Sequence, residues 1–384
     1  MTRSNTSSVP TVRDVAALAG VSPMTVSRTM SGGLNVRPEV QERVREAVEQ
    51  LGYRPNLSAR NTRLSKPTGL IGVAVTNLGN PYYGQFALGV EDVAAAHGRH
   101  IVVGNSGEEP GRESTLLADF AARQLEGVIL VPAGRGGNPL GARQLGNVPL
   151  VLATRTIDGL DCDAVLVDDV NGASAGTSAL LAEGHRRIAF LGDVAGISTA
   201  QRRFEGFTQA LAAAGISLDP EHMVAVRETE AAAVAVRRLL AGPNPPTAFF
   251  SANNRTTVGA LRAICEWRNV QPVNTQPMNA QPVNGQTLDG QEPVTAGRPV
   301  PALASFDDVE LADLLGIPLT VMSHDARKLG AAAATLLFER LAGPAAPAAA
   351  AVPAAAPAAA PAAAPAAAPP GPRLVLMPVT VRRY

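Results

Sequence analysis

A short run, Ser22-Pro23-Met24-Thr25-Val26-Ser27-Arg28, holds the side chains best suited to reading another molecule. At helical spacing, Pro23, Met24, Thr25, Ser27 and Arg28 face outward while Val26 turns inward. Hydroxyls, a guanidinium and a thioether make a mixed donor and apolar surface of the kind that meets base edges in a DNA major groove. Two common catalytic spacings, GxxxxGK[ST] and HExxH, are absent from the sequence, and no GxGxxG follows its first predicted strand. The five histidines (His97, His100, His185, His222, His324) share no i,i+4 pairing and no His–Glu spacing, so each is expected to be structural or solvent-facing. Cys162 and Cys265 lie far apart without histidine partners, which argues against zinc or a disulfide framework and suits a reducing cytoplasm. No metal and no cofactor are expected, and an enzyme is the weaker reading.

The elements that would present this surface can be read from TVRDVAALAGVSPMTVSRTM, residues 11–30. Thr11 with Asp14 makes a capping-box-like start, and Val15, Leu18 and Ala19 give the first helix an apolar face. Gly20 permits a tight turn, Ser22 caps the second helix and Pro23 takes its favoured first position. A third helix, Pro38–Leu51, carries Val40, Val44, Ala47, Val48 and Leu51 towards the first two, and Gly52 ends it. The pattern predicts a helix-turn-helix domain over residues 10–55, followed by a polar, basic hinge or linker over 56–68. Residues 1–66 hold ten Lys/Arg against five Asp/Glu, a net +5 that leaves −5 for the rest of a neutral chain. A basic arm on an acidic body fits a protein that meets a polyanion at one end only.

From residue 69 the pattern changes. LIGVAVT, HIVVG, GVILV, PLVLAT, AVLV, RIAFLG, TAFFS and ALASF read as buried strands, and segments such as Phe86–His97 and Arg112–Gln124 read as helices between them. This alternation predicts parallel sheets covered by helices, and eight to ten strands point to two lobes. With 384 residues, 46% apolar and 4% aromatic, the chain can bury two or three cores built from Ala, Val, Leu and Ile. Residues 271–295 repeat in fives (QPVNT, QPMNA, QPVNG), and 343–372 are almost wholly Ala, Pro and Gly. Both are expected to be length-tolerant insertions. The closing segment RLVLMPVTVRR reads as strand returning to the second lobe. The N-terminal MTRSNTSSVP lacks an apolar run and no stretch suffices to span a bilayer, so a soluble, cytoplasmic protein without membrane contact is expected.

The run VRDVAALAGVSPMTVSR, the third helix ending LGYRPN, and Asn56-Leu57-Ser58-Ala59-Arg60 resemble the LacI/GalR family of bacterial repressors. The resemblance implies DNA contacts from Thr11, Ser22, Pro23, Met24, Thr25, Ser27, Arg28, Asn35, Asn56, Ala59 and Arg60. Arg28 falls where a base-contacting arginine is usual, and Pro23 and Met24 occupy the positions that vary with operator choice. The family's hinge helix wedges a leucine into the minor groove; Thr62 stands at the matching position here, with Leu64 two residues on.

The resemblance continues through TNLGNPYY (76–83), NSGEEPGRE (105–113), VLVDD (165–169), EGHRRIAFLGD (183–193), STAQRRFEGF (198–207), SANN (251–254) and SFDD (305–308). It implies a periplasmic-binding-protein-like α/β core at 69–384, with two doubly wound parallel-sheet lobes joined by three crossovers and a ligand in the cleft. The first lobe is expected at about 69–168 and 323–342, the second at about 169–322 and 373–384. Parallel sheets bind ligands at the carboxyl ends of strands, and the candidate effector-binding residues sit there. They are Tyr82, Tyr83, Thr154, Arg155, Thr199, Arg203, Asn253 and Asp307. Thr154 and Arg155 stand where many relatives have Asp-Arg. Tyr82 and Tyr83 could instead pack, Asp307 could cap a helix, Arg202 could be a solvated charge and Asp168 a turn residue. The implied function is a ligand-responsive transcriptional repressor, a homodimer or higher homo-oligomer on a near-palindromic double-stranded DNA operator. Its implied effector is a small molecule of the sugar class. The alternatives are the same architecture answering to a nucleobase, a nucleoside or a protein corepressor, or a cytoplasmic sugar-binding protein.

Overall fold

The computed structural model describes residues 10–30, 32, 35–54, 67–134, 137–269, 299–310, 312–343 and 371–384. The chain divides into two compact units, residues 1–68 and 69–384.

The first unit holds three helices, α1 (Val12–Ala19), α2 (Pro23–Thr29) and α3 (Pro38–Leu51). Asp14 accepts hydrogen bonds from both the backbone N–H and the hydroxyl of Thr11, each at 2.7 Å. Gly20 follows α1 at φ 63°, a left-handed turn that only glycine adopts without strain. Ser22 then accepts the Thr25 N–H at 3.1 Å, satisfying a donor that the start of α2 would otherwise leave unpaired. Val15, Ala16, Ala19, Val26, Val44 and Ala47 form the core, with Val48, Leu51 and Tyr53 packed on it. The apolar stripe of α1 therefore differs from the expected one. Leu18 is 48% exposed and Ala16 is buried in its place. The buried positions 15, 16 and 19 share one side of an eight-residue helix, and Leu18 falls outside their arc.

In the second unit, β1 (Leu70–Val75), β2 (His100–Asn105), β3 (Gly127–Leu130), β4 (Leu150–Ala153), β5 (Asp163–Val167) and β11 (Leu374–Met377) form one parallel sheet in the order β11-β5-β4-β3-β1-β2. The other sheet takes β6 (Ile188–Leu191), β7 (Met223–Val224), β8 (Ala248–Ser251), β9 (Ala302–Phe306), β10 (Leu319–Ser323) and β12 (Thr380–Arg383), ordered β12-β10-β9-β8-β6-β7. Only β12 runs antiparallel. Central strands such as β3, β6, β8 and β9 are buried along their whole length, which is why they read as continuous apolar runs. Among the described residues the helices of this unit are α4 (Pro81–Ala96), α5 (Pro110–Ala122), α6 (Pro139–Arg143), α7 (Asp169–Ala182), α8 (Ser198–Ala213), α9 (Thr229–Leu240), α10 (Asn254–Asn269) and α11 (Ala326–Ala342). None of the described helices is long and apolar enough to cross a membrane.

Among the described residues the chain passes between the sheets three times: between β5 and α7, between β10 and α11, and between β11 and β12. The third passage corrects the expectation that 373–384 belongs wholly to the second lobe. Leu374–Met377 pairs with β5 in the first sheet, Pro378 and Val379 cross, and Thr380–Arg383 pairs with β10 in the second. Proline has no N–H to donate, so a strand breaks there readily.

Aromatic residues are scarce, yet Phe86, Phe190, Phe207, Phe249, Phe250 and Phe306, six of the nine phenylalanines, are fully buried. The expectation of purely aliphatic cores is revised accordingly. In the first lobe, α4 and α11 lie so close that a Cβ on Gly89 would sit 1.9 Å from the Arg327 carbonyl oxygen, and one on Gly330 would sit 2.1 Å from that of Phe86. Any larger residue at either position would force the backbones apart.

Candidate functional site

On the helix-turn-helix unit, Ser22, Pro23, Ser27 and Arg28 are exposed, and Met24 is 63% exposed. Thr25 is half-buried, its hydroxyl 2.9 Å from that of Ser22. Thr11 is exposed at the start of α1, and Asn35 is exposed at φ 65°, in the left-handed region that asparagine tolerates. Asn56, Ala59, Arg60, Thr62 and Leu64 lie outside the described residues.

All eight residues expected around an effector line one cavity of about 110 Å³ at the carboxyl ends of the strands. They are Tyr82 and Tyr83 from α4, Thr154 and Arg155 after β4, Thr199 and Arg203 from α8, Asn253 after β8, and Asp307 after β9. The shared cause is the doubly wound topology, which turns every βα loop towards the same edge.

Two networks of charge hold its walls. Arg155 grips Glu108 through both ends of its guanidinium, at 2.7 and 2.8 Å, and also donates to the Pro132 carbonyl. Burial would push the Glu108 carboxyl up, but the Arg155 guanidinium holds it below its ordinary range. Asp169, fully buried at the head of α7, accepts from Arg203 Nε at 2.8 Å and from Arg202 Nε and Nη2 at 3.1 and 2.9 Å. Arg203 also donates to the Ala252 carbonyl, stacks 3.7 Å from the centre of the Phe306 ring and approaches Asp307 Oδ2 at 3.6 Å. Arg202, read from sequence as a solvated charge, also donates to the Thr154 carbonyl at 2.9 Å and so ties the first lobe to Asp169 of the second. A further bond between lobes runs from Asn254 Nδ2 to Asn80 Oδ1 at 2.6 Å.

Glu108, Thr154 and Asp307 have φ of 62°, 61° and 72°, and all three line the cavity. Left-handed backbone at a residue other than glycine costs about 1–3 kcal/mol and tends to gather where a site needs a particular geometry. The packing alternative applies in part to Tyr83, whose buried hydroxyl accepts from Thr76 at 2.8 Å. Asn253 caps α10 by accepting the Thr256 N–H at 2.9 Å. Asp168 bonds Asn171 at the start of α7. The Asp307 Oδ1 atom is buried without a hydrogen-bond partner among the described residues.

Sequence reasoning did not single out Glu108, Asp169, Asn80 or Asn254, although they stand inside the motifs NSGEEPGRE, VLVDD, TNLGNPYY and SANN. It also missed β10, and with it His324, which follows the strand directly.

Behind the first network lies Glu113, fully buried, its carboxylate accepting the Ala133 N–H. Burial pushes its carboxyl up to about 7. A carboxyl whose folded pKa lies above its unfolded one weakens the fold as pH rises from the unfolded value to about 7, and the penalty is then constant. Glu113→Gln should therefore stabilise the core by about 2 kcal/mol above that pH, and by little near pH 4. Thermal unfolding at the two extremes measures this; equal effects at both would contradict it.

Residues 68–272 match the family described as periplasmic binding proteins and sugar binding domain of LacI family. Residues 11–56 match bacterial regulatory proteins, lacI family, and 296–357 match a periplasmic binding protein-like domain. Catabolite control protein A of Priestia megaterium is 30% identical over 253 residues, covering 65% of this chain and 76% of its own. The ribose operon repressor of Haemophilus influenzae is 27% identical over 335 residues, covering 87% and 92%. Among solved structures, the lac repressor dimer bound to operator and the anti-inducer ONPF superposes with a TM-score of 0.67 at 23% identity, covering 98% of each chain.

Proposed function

Since the chain belongs to the LacI family of bacterial regulatory proteins and is a DNA-binding transcriptional repressor, we propose that an uncharged sugar, bound in the cavity of its core, sets its hold on the operator. The observation that carries the choice of ligand is the pairing of charge. Each of the four arginines that line the cavity among the described residues is matched to a carboxylate: Arg155 to Glu108, Arg203 to Asp169, Arg227 to Asp193 and Arg255 to Glu228. A phosphorylated ligand would have to break one of these pairs, whereas sugar hydroxyls can donate to the Asp307 carboxylate without disturbing any. Tyr82 offers a ring that could cover an apolar sugar face. No catalytic step is assigned to the cavity, and the protein is read as a regulator acting in the cytoplasm on DNA.

On this reading two copies, joined through the core, hold two heads at the half-sites of a near-palindromic operator. The DNA contacts fall to Thr11, Ser22, Pro23, Met24, Thr25, Ser27, Arg28 and Asn35, with Asn56, Ala59 and Arg60 of the hinge. Arg28→Ala should weaken operator binding by about 1–3 kcal/mol and relax the preference at one base pair. Fluorescence anisotropy against a set of single-base operator variants measures both; unchanged affinity and preference would remove Arg28 from the interface.

The test of the effector is thermal unfolding of the full chain against neutral sugars, sugar phosphates and nucleobases. A ligand at a hundredfold excess over its dissociation constant adds about 2.7 kcal/mol to stability. Stabilisation by neutral sugars is the expected result. Stabilisation confined to phosphorylated sugars or to nucleobases would overturn the assignment.

A further inference from the structure

His324 is buried to all but 2% of its side chain and occupies the passage between β10 and α11, where the chain moves from the second lobe to the first. Its two ring nitrogens face the cavity's own residues. Nε2 lies 3.3 Å from the hydroxyl of Tyr82 on α4, and Nδ1 lies 3.6 Å from Oδ1 of Asp307 after β9. Both Nδ1 and that oxygen are buried without a hydrogen-bond partner among the described residues. Two unpartnered atoms thus face each other just beyond bonding distance, as one tautomer of the neutral ring would leave them. A neutral imidazole with its proton on Nε2 turns a lone pair from Nδ1 towards a carboxylate oxygen, and two acceptors cannot bond.

We infer that His324 is a positioning residue of the effector site, acting through Asp307, and that its protonation withdraws Asp307 from the effector. The inference rests on the effector cavity proposed above. While the ring is neutral, the Asp307 carboxylate is left to a ligand hydroxyl. Once Nδ1 carries a proton, Oδ1 becomes its ion-pair partner, and the ligand must compete for the carboxylate.

The surroundings set where this occurs. Burial pushes the imidazole down from its ordinary value, and the charge of Arg203 on α8 pushes in the same direction. Asp307, Asp169 on α7 and the neighbouring Asp325 pull it back up. The Tyr82 hydroxyl, itself held neutral far above its ordinary value by burial, adds no charge. His324 is therefore neutral at neutral pH and takes up its proton on acidification. Effector affinity is flat above that point and falls by about tenfold for each pH unit below it. By reciprocity, a ligand that occupies Asp307 makes His324 harder to protonate.

The test uses the full-length chain with ring-labelled histidine, followed by NMR over about pH 5 to 8. His324→Gln identifies the resonance by its loss. In Asp307→Asn the His324 midpoint should move to lower pH, because the carboxylate that favours the charged ring has gone; an unmoved midpoint overturns the inference whatever the ligand. In a second arm, binding of D-ribose, D-glucose and cellobiose is titrated calorimetrically across the same range in wild type and His324→Gln. A sugar whose affinity falls on acidification in wild type but not in the variant supports the inference. A sugar that binds wild type with constant affinity overturns it while leaving the sugar reading intact. If none of the three binds, the sugar reading is what suffers, and the ligand-free NMR arm still decides whether His324 and Asp307 are coupled.

Discussion

Asp307→Ala is expected to abolish the response to effector while leaving operator affinity where it was. Asp307 Oδ1 is a buried acceptor with no partner among the described residues, and Oδ2 stands 3.6 Å from Arg203. A hydrogen bond to a charged group contributes about 1.5–3 kcal/mol, so losing a ligand bond to each oxygen would weaken binding by a hundredfold or more, on the order of 3 kcal/mol. The DNA-reading surface belongs to a separate compact unit and loses nothing. The position has a backbone demand of its own, with φ at 72°. Asp307→Asn is the control, because it tolerates that conformation and keeps one acceptor oxygen. Alanine should therefore lose binding and asparagine only part of it, as read by calorimetry with whichever neutral sugar stabilises the wild type. Undiminished binding in the alanine variant would place the ligand elsewhere.

The second large effect falls on stability. Asp169→Ala should cost the core about 3–5 kcal/mol, because it strands two guanidinium groups, Arg203 fully and Arg202 partly buried. The cost arises mainly from uncompensated charge rather than from loss of an attractive pair. That distinction is testable: Asp169→Ala combined with Arg203→Met should recover much of the loss, since the buried cation goes with its partner. Unfolding in urea measures it, with the transition of the helix-turn-helix unit followed apart from that of the core because the two units need not unfold together. A loss under about 1 kcal/mol in the single variant would mean that the network matters little to the fold.

The alternation of apolar runs and amphipathic segments was legible because strands such as β8 and β9 are buried on both faces and stand out sharply between polar stretches. Asp307 and Asn253 could be picked for the same reason, as each follows such a strand. β7 escaped because it has two residues, and β10 because LTVMS mixes polar with apolar positions. Leu18 was misplaced since three apolar residues in one eight-residue helix allow more than one inward arc. Glu108 and Asp169 gain their importance only through arginines 47 and 34 residues away in the chain, a pairing that local pattern does not carry. The division of 373–384 between lobes has a local mark in Pro378, but which sheet edge each half would join depends on the assembled lobes.

That division has a consequence for how the chain comes to be folded. Leu374–Met377 and Thr380–Arg383 are the outermost strands beside β5 and β10, and they follow every other described strand in order of synthesis. While the chain emerges from the ribosome, each nascent lobe must wait with one sheet edge uncovered, and a few residues then close both nearly together. The β5–β11 pair spans some two hundred residues of sequence, a closure that is slow by its nature and leaves the waiting edges open to other chains. The same short ribbon makes completion of one lobe conditional on completion of the other, so the two should gain their final resistance to unfolding in a single late step.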